Sequence, residues 1–280
     1  MRRLLPVDEW AWDETLFAGS AAHYGVGRMP YPPSVAEAVA EALGGAGTGR
    51  LLDVGCGPGS LTIPLAPLFA SAVGIDADPD MLAEAGRLAD RAGVSNVEWC
   101  HLRAEDLPAD LGTFRAVSFG QSFHWMDRDL VACRVRGMLS PDGAWIHVGG
   151  TTHRGAVDAT HSAPPWHRID ELVTRYLGPV RRAGRGTLPD GTRSGEEIVM
   201  RRAGFAGPSR IVVTDDRIVE RDIDEVVSAV FSLSSSAPHL FADRLGAFEL
   251  ELRHLLTEAT ATGRFSERLG PIEVVIWRPT

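Results

Sequence analysis

The stretch Leu51-Leu52-Asp53-Val54-Gly55-Cys56-Gly57-Pro58-Gly59-Ser60 limits the fold more than any other part of the chain. A short apolar run, Arg50 to Val54, ends in a turn with glycine at every second position, and an apolar segment, Ser60 to Ala70, follows. The run suits a buried parallel strand, and the segment suits a helix made irregular by Pro64 and Pro67. Glycines allow the tight turn and let a ligand approach the backbone, while the first turn of the helix offers free N–H groups. Dinucleotide folds use the same parts with the spacing G-x-G-x-x-G. Here the spacing is G-x-G-x-G, and Ser60 stands where the third dinucleotide glycine belongs. Asp53, two residues before the first glycine, would repel a pyrophosphate but suits a ligand bearing an ammonium or sulfonium. The plainer reading is a glycine turn over a buried, hydrogen-bonded Asp.

Strand and helix patterns alternate on both sides of this turn. Ala72–Ile75, Val97–Cys100, Phe114–Phe119 and Ala144–Val148 read as strands. Asp80–Ala92, stopped by Gly93, and Leu130–Leu139, closed by the turn Ser140-Pro141-Asp142-Gly143, read as helices. The alternation predicts βαβ units and an α/β, doubly wound, mostly parallel sheet with helices on both faces. Arg210–Thr214 and Glu273–Trp277 complete seven strands. Helices are expected at Ile169–Leu177, Glu196–Ala203, 222–233 and 239–262, the last with Leu240, Leu245, Phe248, Leu252, Leu255 and Leu256 near helical spacing. Residues 151–195, rich in Gly, Pro, Arg and His and without long apolar periodicity, read as a mobile insertion over one end of the sheet. The expected organisation is an N-terminal helical or lid segment (1–34), a ligand-binding core (35–150), and a cap insertion with the C-terminal elements that complete sheet and pocket (151–280).

Composition removes several function classes. The 280 residues carry a net charge of −9, which gives no electrostatic footprint for nucleic acid. The Arg pairs at 181–182 and 201–202 are the candidate basic patches, read as solvated surface. Every basic residue apart from histidine is Arg, so a Schiff-base Lys and a phosphate-loop Lys are ruled out. Cys56, Cys100 and Cys133 are too widely spaced for a zinc pair or a disulfide framework, which fits a reducing, cytoplasmic setting. Met1 to Trp12 lacks the apolar run of a secretory signal, and no stretch approaches a membrane span.

Asp76 ends the second strand about 20 residues after the loop, where a carboxylate can accept both hydroxyls of a ribose; Asp78, read as a surface residue, is the runner-up. Arg103-Ala104-Glu105-Asp106-Leu107-Pro108 follows the third strand, and Gly120-Gln121-Ser122-Phe123-His124-Trp125 follows the fourth. All lie at the carboxyl ends of parallel strands, where open α/β sheets bind ligands.

Segments 51–60, 73–76, 103–108 and 119–125 resemble the ordered motifs of class I S-adenosylmethionine-dependent methyltransferases. The likeness is to the small-molecule group that includes the ubiquinone/menaquinone and trans-aconitate methyltransferases. The entry segment Ala21-Ala22-His23-Tyr24 … Arg28-Met29-Pro30-Tyr31-Pro32 is similar too. The likeness covers roughly residues 15–150. It implies a Rossmann-like fold with an inserted substrate cap, S-adenosyl-L-methionine as cofactor and S-adenosyl-L-homocysteine as product. It also implies roles. Asp53, Gly55 and Gly57 would contact the methionine part; Asp76 would bind the ribose; Ala104 and Glu105 would flank the adenine; Cys56 and Ala77 would also belong to the cofactor site. Gln121 would lie near the sulfonium, and Tyr24 and Arg28 would close over the cofactor. Arg103 departs from the pattern, since an Asp or Asn often contacts the adenine there.

Four histidines are candidate bases. His124 follows the fourth strand and is expected to reach the space between cofactor and substrate, with a packed pocket-floor His as the alternative. His153, His161 and His167 crowd the insertion; one is an alternative base, and no metal is expected because their spacing matches no helical ligand pair. Trp125, Trp166, Phe231 and Phe241 are candidate walls of an apolar pocket. A sulfonium methyl is already activated, so alignment and exclusion of water can suffice. The expected activity is methyl transfer to O, N or C of a small organic molecule, secondary metabolites among the candidates, by a monomer or homodimer. The alternatives are an RNA or protein methyltransferase, or a non-methylating enzyme or binder on the same scaffold.

Overall fold

A computed structural model describes residues 15–45, 47–157, 161–183, 186–188 and 195–280. Two helices, α1 (Ala21–Gly27) and α2 (Pro33–Ala42), lead into β1 (Arg50–Val54). Then come α3 (Thr62–Leu65), β2 (Ser71–Asp76), α4 (Pro79–Ala92), β3 (Val97–His101), β4 (Phe114–Gly120), α5 (Arg128–Met138) and β5 (Leu139–Gly149). Pro64 and Pro67 leave α3 only four residues long, followed by a 3-10 turn at Ala66–Leu68. Asp78 caps α4, and Gly93 ends it in the left-handed conformation (φ 67°).

The second half contains β6 (Ala156–Val157), α6 (Trp166–Leu177), β7 (Arg181–Ala183), β8 (Gly186–Leu188), α7 (Glu196–Arg202) and β9 (Phe205–Val213). β10 (Ile218–Asp222), α8 (Ile223–Phe231), α9 (Leu245–Ala259), β11 (Arg264–Arg268) and β12 (Ile272–Pro279) complete the described elements. Seven strands form the main sheet in the order β3-β2-β1-β4-β5-β12-β9. The first five are parallel, and β12 runs antiparallel to both β5 and β9. The strand order reverses beside β1, which opens a crevice at the carboxyl ends of β1 and β4.

The fold matches the expected class, and several details differ. The turn expected at Ser140–Gly143 is an outward bulge within β5: pairing jumps from Phe114↔Leu139 to Ala116↔Ala144. β9 starts five residues earlier than Arg210, because Pro208 is tolerated on a sheet edge. The helix expected over 239–262 is broken at Ala242 (φ 51°); a 3-10 segment, Pro238–Arg244, precedes α9, and Leu240 is 40% exposed rather than in the apolar stripe.

A second sheet, β10-β11-β6, was not read from the sequence. Its strands Ile218-Val-Glu-Arg-Asp222 and Arg264-Phe-Ser-Glu-Arg268 are too polar to stand out. The insertion also has more apolar order than its composition suggests. Ile169, Leu172 and Val173 bury one face of α6, and with Phe231, Phe248 and Phe265 they build a core separate from the two that flank the main sheet. The cap therefore draws on 161–177 and on 218–268. Arg201 and Arg202 meet Glu197 and Asp129, respectively, as ordinary surface pairs. Among the described residues no helix is long and apolar enough to cross a membrane.

Candidate functional site

The glycine turn joins β1 to the end of β2. Asp76 Oδ2 accepts the backbone N–H of Gly57 at 2.7 Å, and Oδ1 accepts that of Asp78 at 2.9 Å. Burial pushes the Asp76 carboxyl up to about 6. Gly55 has φ 65°, and a Cβ there would lie 2.7 Å from Ser122 Cβ. Gly57 differs: its φ is 53°, and a Cβ would meet nothing within 4 Å. Its backbone faces open space that a ligand can fill.

Asp53 is 1% exposed. Its carboxylate accepts hydroxyl protons from Thr62 (2.5 Å) and Ser118 (2.7 Å), and burial pushes its pKa up to about 6. It is thus the buried, hydrogen-bonded Asp of the plainer reading, and it also lines a cavity. Asp78 is not a solvated surface acid. It is 8% exposed and its Oδ1 accepts the N–H groups of Asp80 and Met81, so it is committed to capping α4.

Two adjoining cavities follow the carboxyl ends of the strands. The larger, about 700 Å³ and open to solvent, is lined by Asp76, Ala77, Ala104 and Glu105, together with Phe17 and Trp125. The second, about 480 Å³, is lined by Arg28, Asp53, Cys56, Tyr31 and Thr152. They share Tyr24, Gly55, Gly57, Gly120 and Gln121. All eleven candidate cofactor residues therefore line one cavity or the other. Arg103 also lines the larger cavity, with its guanidinium 3.6 Å from Glu105.

Arg28 belongs to the smaller cavity. Its Nε donates to Ser232 Oγ at 2.8 Å, one terminal nitrogen donates to the Ser232 carbonyl (3.1 Å), and the other to Thr152 Oγ1 (3.4 Å). The guanidinium lies 4.6 Å from the Tyr24 ring centroid. No carboxylate from the described residues pairs with it, so a half-buried cation faces the cavity. Gln121 has an unusual φ of 60°, and its Nε2 donates to the Gly150 carbonyl, fixing the amide at the junction of the two cavities.

The histidines do not lie where the sequence suggested. His124 lines neither cavity. The 3-10 turn Phe123–Trp125 sends Trp125 into the cleft and Phe123 into the core, and His124 has His147, Glu196 and Arg128 as electrostatic neighbours. Burial brings its pKa down to about 4. His153, His161 and His167 are separated. His153 lies beside Arg28, Arg154 and Arg221, with its pKa lowered to about 3, chiefly by burial. His161 Nε2 is 3.6 Å from Glu220, and His167 is an exposed residue on α6, 3.5 Å from Glu171. Among the described residues no group of three or more His, Cys, Asp or Glu is arranged to hold a metal.

Of the aromatic candidates, Trp125 lines the larger cavity and meets Phe17 edge-to-face at 5.6 Å. Phe231 and Phe241 are in the cap core instead, and Trp166 donates its ring N–H to Glu267 (2.6 Å). Phe17, Met81, Leu102, Ser122 and Met126 line the larger cavity without having been singled out in the sequence. They carry no motif. Position after a strand end was the available signal for Leu102, Ser122 and Met126.

The sheet order, the glycine turn and the two acids define a class I methyltransferase fold. Residues 51–143 match the family model described as a methyltransferase domain. The chain is similar to an uncharacterized methyltransferase of Mycobacterium tuberculosis, 34% identical over 180 residues, 64% of this chain and 66% of the relative. It is also similar to the ubiquinone biosynthesis O-methyltransferase of Azorhizobium caulinodans, 38% identical over 99 residues, 35% of this chain and 38% of the relative. A solved structure assigned as a type II methyltransferase from Anaeromyxobacter dehalogenans shares the fold, with TM-score 0.51 and 21% identity over 90% of this chain and 97% of that one. Residues 51–143 thus carry a methyltransferase domain, and the chain has the fold of the class I methyltransferases. It spans 66% of the length of the mycobacterial relative.

Proposed function

We propose that the protein transfers a methyl group from S-adenosylmethionine to a small organic molecule held under the cap. The observation that carries this reading is the pair of cavities meeting at Tyr24, Gly55, Gly57, Gly120 and Gln121. One end offers Asp76 for ribose hydroxyls and Ala77, Ala104 and Glu105 around a flat ring. The other offers the Arg28 guanidinium, which has no carboxylate partner among the described residues, for a carboxylate, and Asp53 for positive charge. Open space at Gly57 supplies the close backbone approach that such a ligand needs.

Bound S-adenosylmethionine supplies a methyl on a positively charged sulfur, an electrophile that needs no further activation. The residues of this chain bind and orient it. Tyr24 and Gln121 border the junction where the sulfur would sit, and Phe17 and Trp125, in edge-to-face contact, line the larger cavity. Their work is alignment of the acceptor and exclusion of water. No histidine lines either of the two joined cavities, and this reading assigns no residue as a base.

A small acceptor is favoured over RNA because the net charge is −9 and the Arg201 and Arg202 side chains are already paired. The cap and α1 would act together as the lid over this acceptor. Incubation with labelled S-adenosylmethionine and a metabolite library tests the reading. A labelled small-molecule product is expected; label transferred only to RNA or protein would overturn the substrate class.

A further inference from the structure

Two charged side chains lie deep in the cap and line neither described cavity: Arg221 on β10 and Glu267 on β11, 2% and 1% exposed. They form an ion pair at 3.1 Å. The further hydrogen bonds of the pair reach the backbone beside Arg28 and Thr152, and also α8 and α6. Arg221 donates to the carbonyls of His153 (2.9 Å), Gly27 (2.7 Å) and Glu225 (3.0 Å). The other Glu267 oxygen accepts the N–H of Gly155 (2.9 Å) and the ring N–H of Trp166 (2.6 Å).

Gly27 closes α1 and precedes Arg28, and His153 follows Thr152. Arg28 itself reaches Thr152 Oγ1, and the Met29 N–H donates to the Thr152 carbonyl at 2.8 Å. The ion pair therefore grips the backbone on both sides of the Arg28–Thr152 contact, which forms a wall of the smaller cavity. The grip has little slack. A Cβ on Gly27 would lie 2.3 Å from Ala229 N and Ser228 C, so α1 is pressed against α8. Ser232, which caps the C-terminus of α8, holds Arg28.

Stability alone is a weak account of this arrangement. Apolar residues of similar volume often replace a buried ion pair at no cost to the fold. What they cannot supply is a fan of donors and acceptors that fixes three backbone segments at once.

We propose that Arg221 and Glu267 are a positioning pair that holds Arg28 and Thr152 in place for the amino-acid end of the cofactor, coupling the substrate cap to that half of the cleft. This rests on the reading that the cofactor's methionine end lies beside Arg28. The pair touches neither cofactor nor acceptor; it acts through Arg28.

Two probes separate positioning from general damage. S-adenosylhomocysteine carries the amino-acid end, and methylthioadenosine lacks it while keeping the adenosine and the sulfur. Their dissociation constants are measured for the full chain, for Arg221→Lys, and for the double variant Arg221→Met/Glu267→Met, which removes the charges together. In both variants S-adenosylhomocysteine binding weakens about tenfold or more, the scale of lost hydrogen bonds to a charged group, while methylthioadenosine binding stays within about twofold. In an Arg28→Ala background the same substitutions add little further loss, because the residue they act through is gone. Equal loss for both ligands, full additivity with Arg28→Ala, or unchanged binding would overturn the role. So would failure of both variants to fold, which would make the pair structural. A wild-type chain that binds neither ligand would instead remove the cofactor reading, and the positioning role with it.

Discussion

The carboxylate of Asp76 accepts the backbone N–H of Gly57 at 2.7 Å, so the acid that ends β2 also fixes the turn that ends β1. One side chain thus links the end of β2 to the loop under the middle of the cleft. Asp76→Ala removes both functions. Cofactor binding should weaken by about 1.5–3 kcal/mol, the scale of hydrogen bonds to a charged group. The fold should survive, since Asp76 borders the cleft. Calorimetry with S-adenosylhomocysteine measures the loss, and an unchanged dissociation constant in a folded variant removes Asp76 from the site.

Gly57→Ala separates ligand space from stability. The left-handed backbone makes Ala cost about 1–2 kcal/mol, and no neighbour lies within 4 Å to add a clash. The added methyl would occupy the space assigned to the ligand. The variant should unfold at only slightly lower denaturant concentration yet lose cofactor affinity by about tenfold or more. Normal affinity would mean that no ligand approaches this backbone.

Asp53 predicts a pH dependence of stability in the empty protein. Burial raises its pKa from 3.8 to about 6, so the folded state holds a proton that the unfolded chain releases near pH 4. Its favourable contribution is complete below about pH 4, falls as pH rises through 6, and stays lost above that. The ionised form costs the fold on the order of 3 kcal/mol. Asp53→Asn has no such loss, so its stability relative to wild type should rise between pH 4 and 6 and level off above. His124 and His153, whose pKa values burial lowers, act in the opposite direction in both proteins, and their effect cancels in the difference. Denaturant titrations across pH 4–8 test this; a flat difference contradicts it.

His124→Ala should leave the methylation rate within about threefold of wild type, with the same pH profile. Loss of a general base costs roughly 10²–10⁴-fold, and His124 lines neither cavity. A rate loss on that larger scale, with a lost acidic limb, would return His124 to the reaction.

The parallel strands and the residues that line the joined cavities were legible in the sequence because their signals are local. Asp53, Gly55, Gly57 and Asp76 sit on apolar runs that end in glycine or acid, and each run is complete within ten residues. The partners of Arg28 lie 124 and 204 residues away, and the Arg221–Glu267 contact spans 46 residues on two polar strands. Neither leaves a trace in local periodicity. For His124 the sequence left a catalytic and a packed reading open, because a 3-10 turn decides which of three adjacent side chains enters the cleft and composition does not encode that choice.

The central claim is that the joined cavities bind an adenosyl amino acid. Calorimetric titration of the purified chain with S-adenosylhomocysteine, and separately with NAD, tests it most directly. Saturable one-to-one binding of S-adenosylhomocysteine is expected, with no comparable heat from NAD, because Asp53 and the G-x-G-x-G turn disfavour a pyrophosphate. Tight NAD binding with no affinity for S-adenosylhomocysteine would contradict it.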